Sequence, residues 1–249
     1  MASRSRTWWS VWDRPTTRLR LPPRTGSRTD LLPLSGTRTT QPDGGLADNE
    51  RMDVAGLLES AGLLVPEETG TENDITVGDI WDYLVHDEWE TALGLLEELG
   101  AGHPLPLTFW EKIADAAEQL RLERSSAWCQ WRCSEIRNGM VRADLTLRPV
   151  GEARRATPIA GHGVMRPMWD IGHLSPAGER ALNVARIWVE DMPSLEPGER
   201  ATVRLLPLTP SQWKHVRPGQ LISMHEDRSV AGTAVIREVH RPATAAPAG

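Results

Sequence analysis

Arg200-Ala201-Thr202-Val203-Arg204-Leu205 sets Ala201, Val203 and Leu205 on one side of an extended chain and Thr202 and Arg204 on the other. A period of two is the mark of a strand with one face buried. The same alternation holds upstream. Ala143, Leu145 and Leu147 interleave with Asp144, Thr146 and Arg148 from Val141 onward. Further strand-like runs fall at 165–171, 182–190, 220–225 and 229–239, separated by Pro- and Gly-containing breaks. The last run, Ser229 to Ile236, is small and apolar on both faces, and its Gly232 predicts a close backbone approach. Six short strands with no helix between them predict a barrel or sandwich. We expect a closed six-stranded antiparallel barrel over residues 139–241. Its connections at Gly172–Arg180 and Asp191–Glu199 are long enough for Greek-key crossings.

Residues 52–138 carry a different period. Val54, Leu57, Leu58 and Ala61 have helical spacing, with Gly62 as a cap. An acidic loop, Pro66 to Asp74, follows. Thr76-Val77-Gly78-Asp79 has capping-box spacing and predicts a short helix to about His86. Glu88 to Leu99 places Trp89, Leu93, Leu96 and Leu99 on one face, with Gly100 as the expected stop. Thr108-Phe109-Trp110-Glu111 predicts a second capping box after the break at His103–Pro106. A last amphipathic stretch with Trp128, Cys129, Trp131, Cys133 and Ile136 ends at Asn138-Gly139. Residues 76–138 therefore predict three or four short-linked helices. They hold twelve acids against five bases, which makes an acidic helical domain. The fold class is α+β.

The chain has 249 residues, a net charge of −6, 19 Pro and 21 Gly, and Lys112 and Lys214 as its only lysines. The Arg, Ala, Gly and Pro bias suggests a high-GC bacterial genome. Residues 1–51 hold nine scattered Arg against five acids and no apolar period after Trp12, which predicts a disordered tail. Met52-Asp53-Val54 would serve as an alternative start. Residues 242–249 are expected to be a second disordered tail. Two cysteines and no run of 18 apolar residues fit a reducing cytoplasm with no membrane span.

Three blocks of residues 141–239, about two-fifths of the chain, carry a resemblance. They are Thr157-Pro158-Ile159 leading to Gly163, Arg166, Pro167 and Trp169; Glu196-Pro197-Gly198-Glu199 running into Ala201–Leu208; and Leu221–Ile236 with Arg228-Ser229-Val230. In this order and spacing they resemble the C-terminal barrel (domain III) of elongation factor Tu and related translational GTPases. That resemblance implies a barrel fold and a partner in the translation apparatus. It also implies a tRNA contact through the positions held here by Met168, His225 and Glu226. A Met cannot donate to a phosphate and a Glu repels one, so a protein partner is expected before RNA, although Arg166 is retained.

The phosphate-cradling loop of a GTPase and its guanine-reading motif are both absent, so neither GTP nor another cofactor is expected. Cys129 and Cys133 at i and i+4 lack further ligands and read as buried thiols. The histidines lack metal-ligand spacing and read as surface residues. No acid stands in an apolar setting that would raise its pKa, and no nucleophile motif occurs, so an enzyme is not expected. Arg166 and His225, together with an exposed Trp213 flanked by Lys214 and Arg217, are the candidate partner-binding residues. The reading is a non-enzymatic binding protein of the translation apparatus. The alternative is an interaction or immunity-type protein whose acidic helices mask a partner.

Overall fold

A computed structural model describes residues 45–70, 75–175, 177–227 and 229–242, with side chains described from Val54 onward. Residues 1–44, 71–74, Pro176, Arg228 and 243–249 lie outside the described residues, and with them most of both expected tails and the end of the expected acidic loop. Helix α1 spans Gly45–Gly62 and so begins inside the segment expected to lack structure. It is followed by α2 (Val77–Val85), α3 (Trp89–Gly102), α4 (Leu107–Gln119) and α5 (Glu123–Asn138). Thr76 caps α2 as expected, its backbone N–H donating to Asp79 Oδ2 at 2.7 Å. Two details differ. Gly100 lies within α3, where a Cβ would come within 2.6 Å of the Trp110 ring, so its role is packing rather than termination. Thr108 is already helical, because α4 starts at Leu107 from an extended Pro106, and Glu111 pairs with Arg137 instead of capping.

The chain then changes period at Gly139. Strands β1 (Met140–Leu147), β3 (Met168–Leu174), β4 (Arg180–Val189), β6 (Arg200–Pro207), β7 (Leu221–Glu226) and β8 (Ser229–His240) close into a barrel in the order β1-β6-β4-β3-β7-β8. Every pair is antiparallel. A separate two-stranded sheet, β2 (Ile159–Ala160) with β5 (Ser194–Leu195), puts Ile159 and Leu195 into the same core. A short 3-10 turn, Pro210–Trp213, joins β6 to β7. β3 starts three residues later than expected. Residues 165–167 still run beside β4, but Pro167 has no N–H to give the ladder.

The alternation read from the sequence sorts the barrel. Ala143, Leu145, Ile187, Val203, Leu205 and Ile236 point inward and are buried. Gly232 sits against β1, where a Cβ would come within 2.8 Å of Thr146 O, the close approach its context predicts. The helices have their own core around Leu58, Leu93, Phe109, Trp110 and Ile113. A third buried cluster, Trp131 with Trp188 and Leu206, joins α5 to the outer face of β4 and β6. No described helix is long and apolar enough to cross a membrane.

Gly163 is wedged into this junction. Its φ is +73°, and a Cβ would lie 2.8 Å from both Cε3 and Cζ3 of Trp131. The conformation and the missing space independently demand glycine. Gly163→Ala should cost about 2–4 kcal/mol, the sum of left-handed strain and overpacking, read as a lowered urea midpoint at unchanged slope.

Candidate functional site

The densest polar cluster lies where α5 meets the barrel. Glu135 is buried, and four donors reach its carboxylate. Trp131 Nε1 donates to Oε1 at 2.6 Å and Arg132 Nη1 to Oε2 at 2.5 Å. Arg204 from β6 binds both oxygens, Nε to Oε1 and Nη2 to Oε2, each at 2.7 Å. Arg204 Nη1 also reaches Glu190, which Arg142 holds through its Nε and Nη2. Aromatic faces cover the cations: Arg132 lies 4.8 Å from the Trp110 ring centre and Arg204 5.5 Å from that of Trp128. Burial pushes the Glu135 carboxyl up, but the Arg204 and Arg132 guanidiniums outweigh it and hold it below its ordinary value.

A carboxylate with four donors has no free lone pair to serve as a base, so this cluster fixes α5 on the barrel. Breaking a buried pair from one side strands the other charge. Glu135→Ala should therefore cost about 3–5 kcal/mol, whereas Arg200→Ala, at an exposed arginine paired to Asp144, should cost under about 1 kcal/mol. Denaturant titrations of the two variants side by side would check this.

The sequence-predicted residues fall at both ends of the barrel. Trp213, expected to be exposed, is 4% exposed and belongs to the barrel core. The turn Pro210–Trp213 folds its indole inward over the barrel end, which removes it as a surface anchor. Lys214 and Arg217 remain exposed beside it. Trp213 and Lys214 line a cleft of about 340 Å³ with Met140, Pro207, Val239 and Pro242. His215 and Gln220 both bond Ile171 O, so this loop is tied to the C-terminal part of β3.

Arg166 stands before the other end of β3, exposed. His225, expected at the surface, is buried on β7 and pairs in register with Met168 on β3. A bulge at Met224/His225 lets two consecutive residues bury, and His225 is thereby withdrawn from contact with a partner. Its neighbour Glu226 is engaged by Arg155. The structure thus places Arg166, Met168, His225 and Glu226 at one end and the Trp213 group at the other.

Among the described residues, no group of three or more His, Cys, Asp or Glu is placed to hold a metal ion. Cys129 and Cys133 are free and buried. Cys129 Sγ donates to Glu97 Oε1 at 3.3 Å, between α5 and α3. Here the sequence reading needs correcting. Glu97 does stand in an apolar setting, and burial pushes its carboxyl up to about 7, against smaller opposing pulls from Cys129, Ser125 and Arg124. The carboxyl is covered because α5 folds across α3 here.

The folded state holds this proton up to about 7, while the unfolded chain releases it near 4.5. Between those values the unfolded state binds fewer protons, so stability falls as pH rises, by about 3 kcal/mol in all. Glu97→Gln should flatten the dependence between pH 5 and pH 8 and exceed the wild type in stability at pH 8. Urea midpoints across that window would show it.

No protein-family model matches the chain, and no curated protein matches it.

Proposed function

We propose that this is a non-enzymatic binding protein whose elongation-factor-like barrel captures a protein partner of the translation apparatus, in the cytoplasm and without nucleotide. The strand order supports a Greek-key reading of the barrel. β3, β4 and β6 are consecutive neighbours and β1 lies beside β6, so the crossing connection is the one from β1 to β3, whereas Gly172–Arg180 and Asp191–Glu199, expected to cross, join adjacent strands. The observation that carries the choice of protein over RNA is the state of the three positions where the resemblance implies a tRNA contact. Met168 offers no donor, His225 is buried, and Glu226 is an acid already paired with Arg155. None can neutralise a phosphate. A second reading, an interaction protein unconnected with translation, is supported by the helices. Asp79, Asp82, Asp87, Glu88 and Glu90 are all exposed around a 79% exposed Val85, a surface that would suit a basic partner.

Bulk tRNA should be retarded only feebly by the purified protein, and not at all by about 200 mM salt. Calorimetry with millimolar GTP should give no saturable heat, because no phosphate-cradling loop exists to bind it. Salt-resistant tRNA binding that vanishes in Arg166→Ala would overturn the protein-partner reading.

A further inference from the structure

Two backbone bonds tie the segment before β3 to β4: Ile187 N–H donates to Met165 O at 3.1 Å and Ala185 N–H to Pro167 O at 3.4 Å. This register sets Arg166 directly across from Arg186. Ala185 and Ile187 are buried in the barrel, so Arg186 points outward, and Arg166 is exposed. Like charges directly opposite on antiparallel strands repel and destabilise the pair. Burial first, and the Arg166 charge second, both work against the Arg186 cation.

Among the described residues neither arginine meets a carboxylate. Nearby outward arginines do: Arg142 and Arg204 hold Glu190, and Arg200 and Arg237 hold Asp144. Arg186 is also ordered in advance. Its Nε donates to Gly163 O at 3.0 Å and its guanidinium lies 5.1 Å from the Trp131 ring centre, which leaves both Nη groups without an acceptor among the described residues. A fork held still, facing a second cation and lacking a counter-charge, is what binding a carboxylate pair requires. Val164, 67% exposed in the same segment, and the exposed His162 continue the strip.

We propose that Arg166 and Arg186 dock an acidic segment of a protein partner, two carboxylates flanking an apolar side chain that rests on Val164. This rests on the protein-partner reading above and names the chemistry of that partner. A nucleic acid fits less well. The strip has two guanidiniums where a phosphate track needs several cations, and Trp131 and Trp188 are buried and cannot stack on bases.

Fluorescence anisotropy on the full chain would test it, using a labelled peptide repeating Glu-Leu-Glu, a matched Gln-Leu-Gln peptide and bulk tRNA as probes. The acidic peptide should bind and the amide peptide should not. Arg166→Gln should weaken binding at least about tenfold, the effect of losing a charge-assisted contact, while its melting temperature stays level or rises as the repulsion is relieved. Arg186→Lys, which keeps the charge but not the fork, should also weaken binding, with the fold retained. Failure of the wild type to bind the acidic peptide, or binding untouched by both substitutions, would overturn this site and leave a protein partner at another surface possible. Tight tRNA binding lost in Arg166→Gln would overturn the site and the protein-partner reading together.

Discussion

The Glu135 carboxylate, held by Arg204 from the barrel and by Trp131 and Arg132 from its own helix, is the contact on which the arrangement of this chain depends. A fork-to-carboxylate pair is directional, because both oxygens must meet two nitrogens in one plane. Sliding α5 along the barrel by one residue would move Glu135 by about 1.5 Å and rotate it by about a quarter turn, breaking both bonds from Arg204 at once. An apolar seam of the same area would tolerate such a shift. The indoles complete the constraint. Trp131 and Trp128 lie against Trp188 of β4 at ring separations of 5.5 and 5.1 Å, and Gly163 leaves no slack beneath Trp131.

This seam also divides the barrel surface. Arg204, Trp188 and Leu206, outward residues of β6 and β4, face the helical part, Arg204 meeting its Glu135, while Arg142 of β1 holds the barrel's own Glu190 and Glu238. The outward side chains of β3, β7 and β8 have no such cover. Leu174, Leu221 and Val235 are exposed there, with Asp170 and Ser223 between them in register. The β3 side is thus the uncovered one, and the Arg166–Arg186 pair stands at the border between the covered wall and the open one.

The strands were legible because one face of each is buried, and a period of two survives whatever lies outside. Arg204 shows where that reading stops. The alternation correctly turns it outward, yet outward here means into the seam under α5, not into water. The same limit explains Glu97, whose helical position says nothing about which helix will cross it. Trp213 failed for a related reason. A Pro-Ser-Gln-Trp turn flanked by basic residues looks like surface, but a turn at a barrel end can fold its largest side chain into the open mouth, and burying an indole favours that. Local signals fared unevenly. Asp79 closes its box on Thr76, whereas Glu111 is drawn to Arg137 and leaves its box unmade. Helix-stop logic misread Gly100, whose missing Cβ makes room for Trp110.

Buried and half-buried acids, more than the aromatic residues, sort the arginines of this protein into two kinds. Glu135, Glu190 and Asp144 each gather two or more guanidiniums, and the energetic return is orientation, since desolvating such groups offsets much of their attraction. Arg148 and Arg217 also meet no acid among the described residues, but both are exposed and screened by water, whereas Arg186 is only partly so. Arg186 is half-buried, so its desolvation is partly incurred already, and Arg166 adds repulsion to it. The fold could relieve both with a single acid at position 166, opposite Arg186, where a cross-strand pair would be stabilising. It carries a second arginine instead. Between the Arg166 segment and β4, no acid among the described residues closes the charge that the two arginines share.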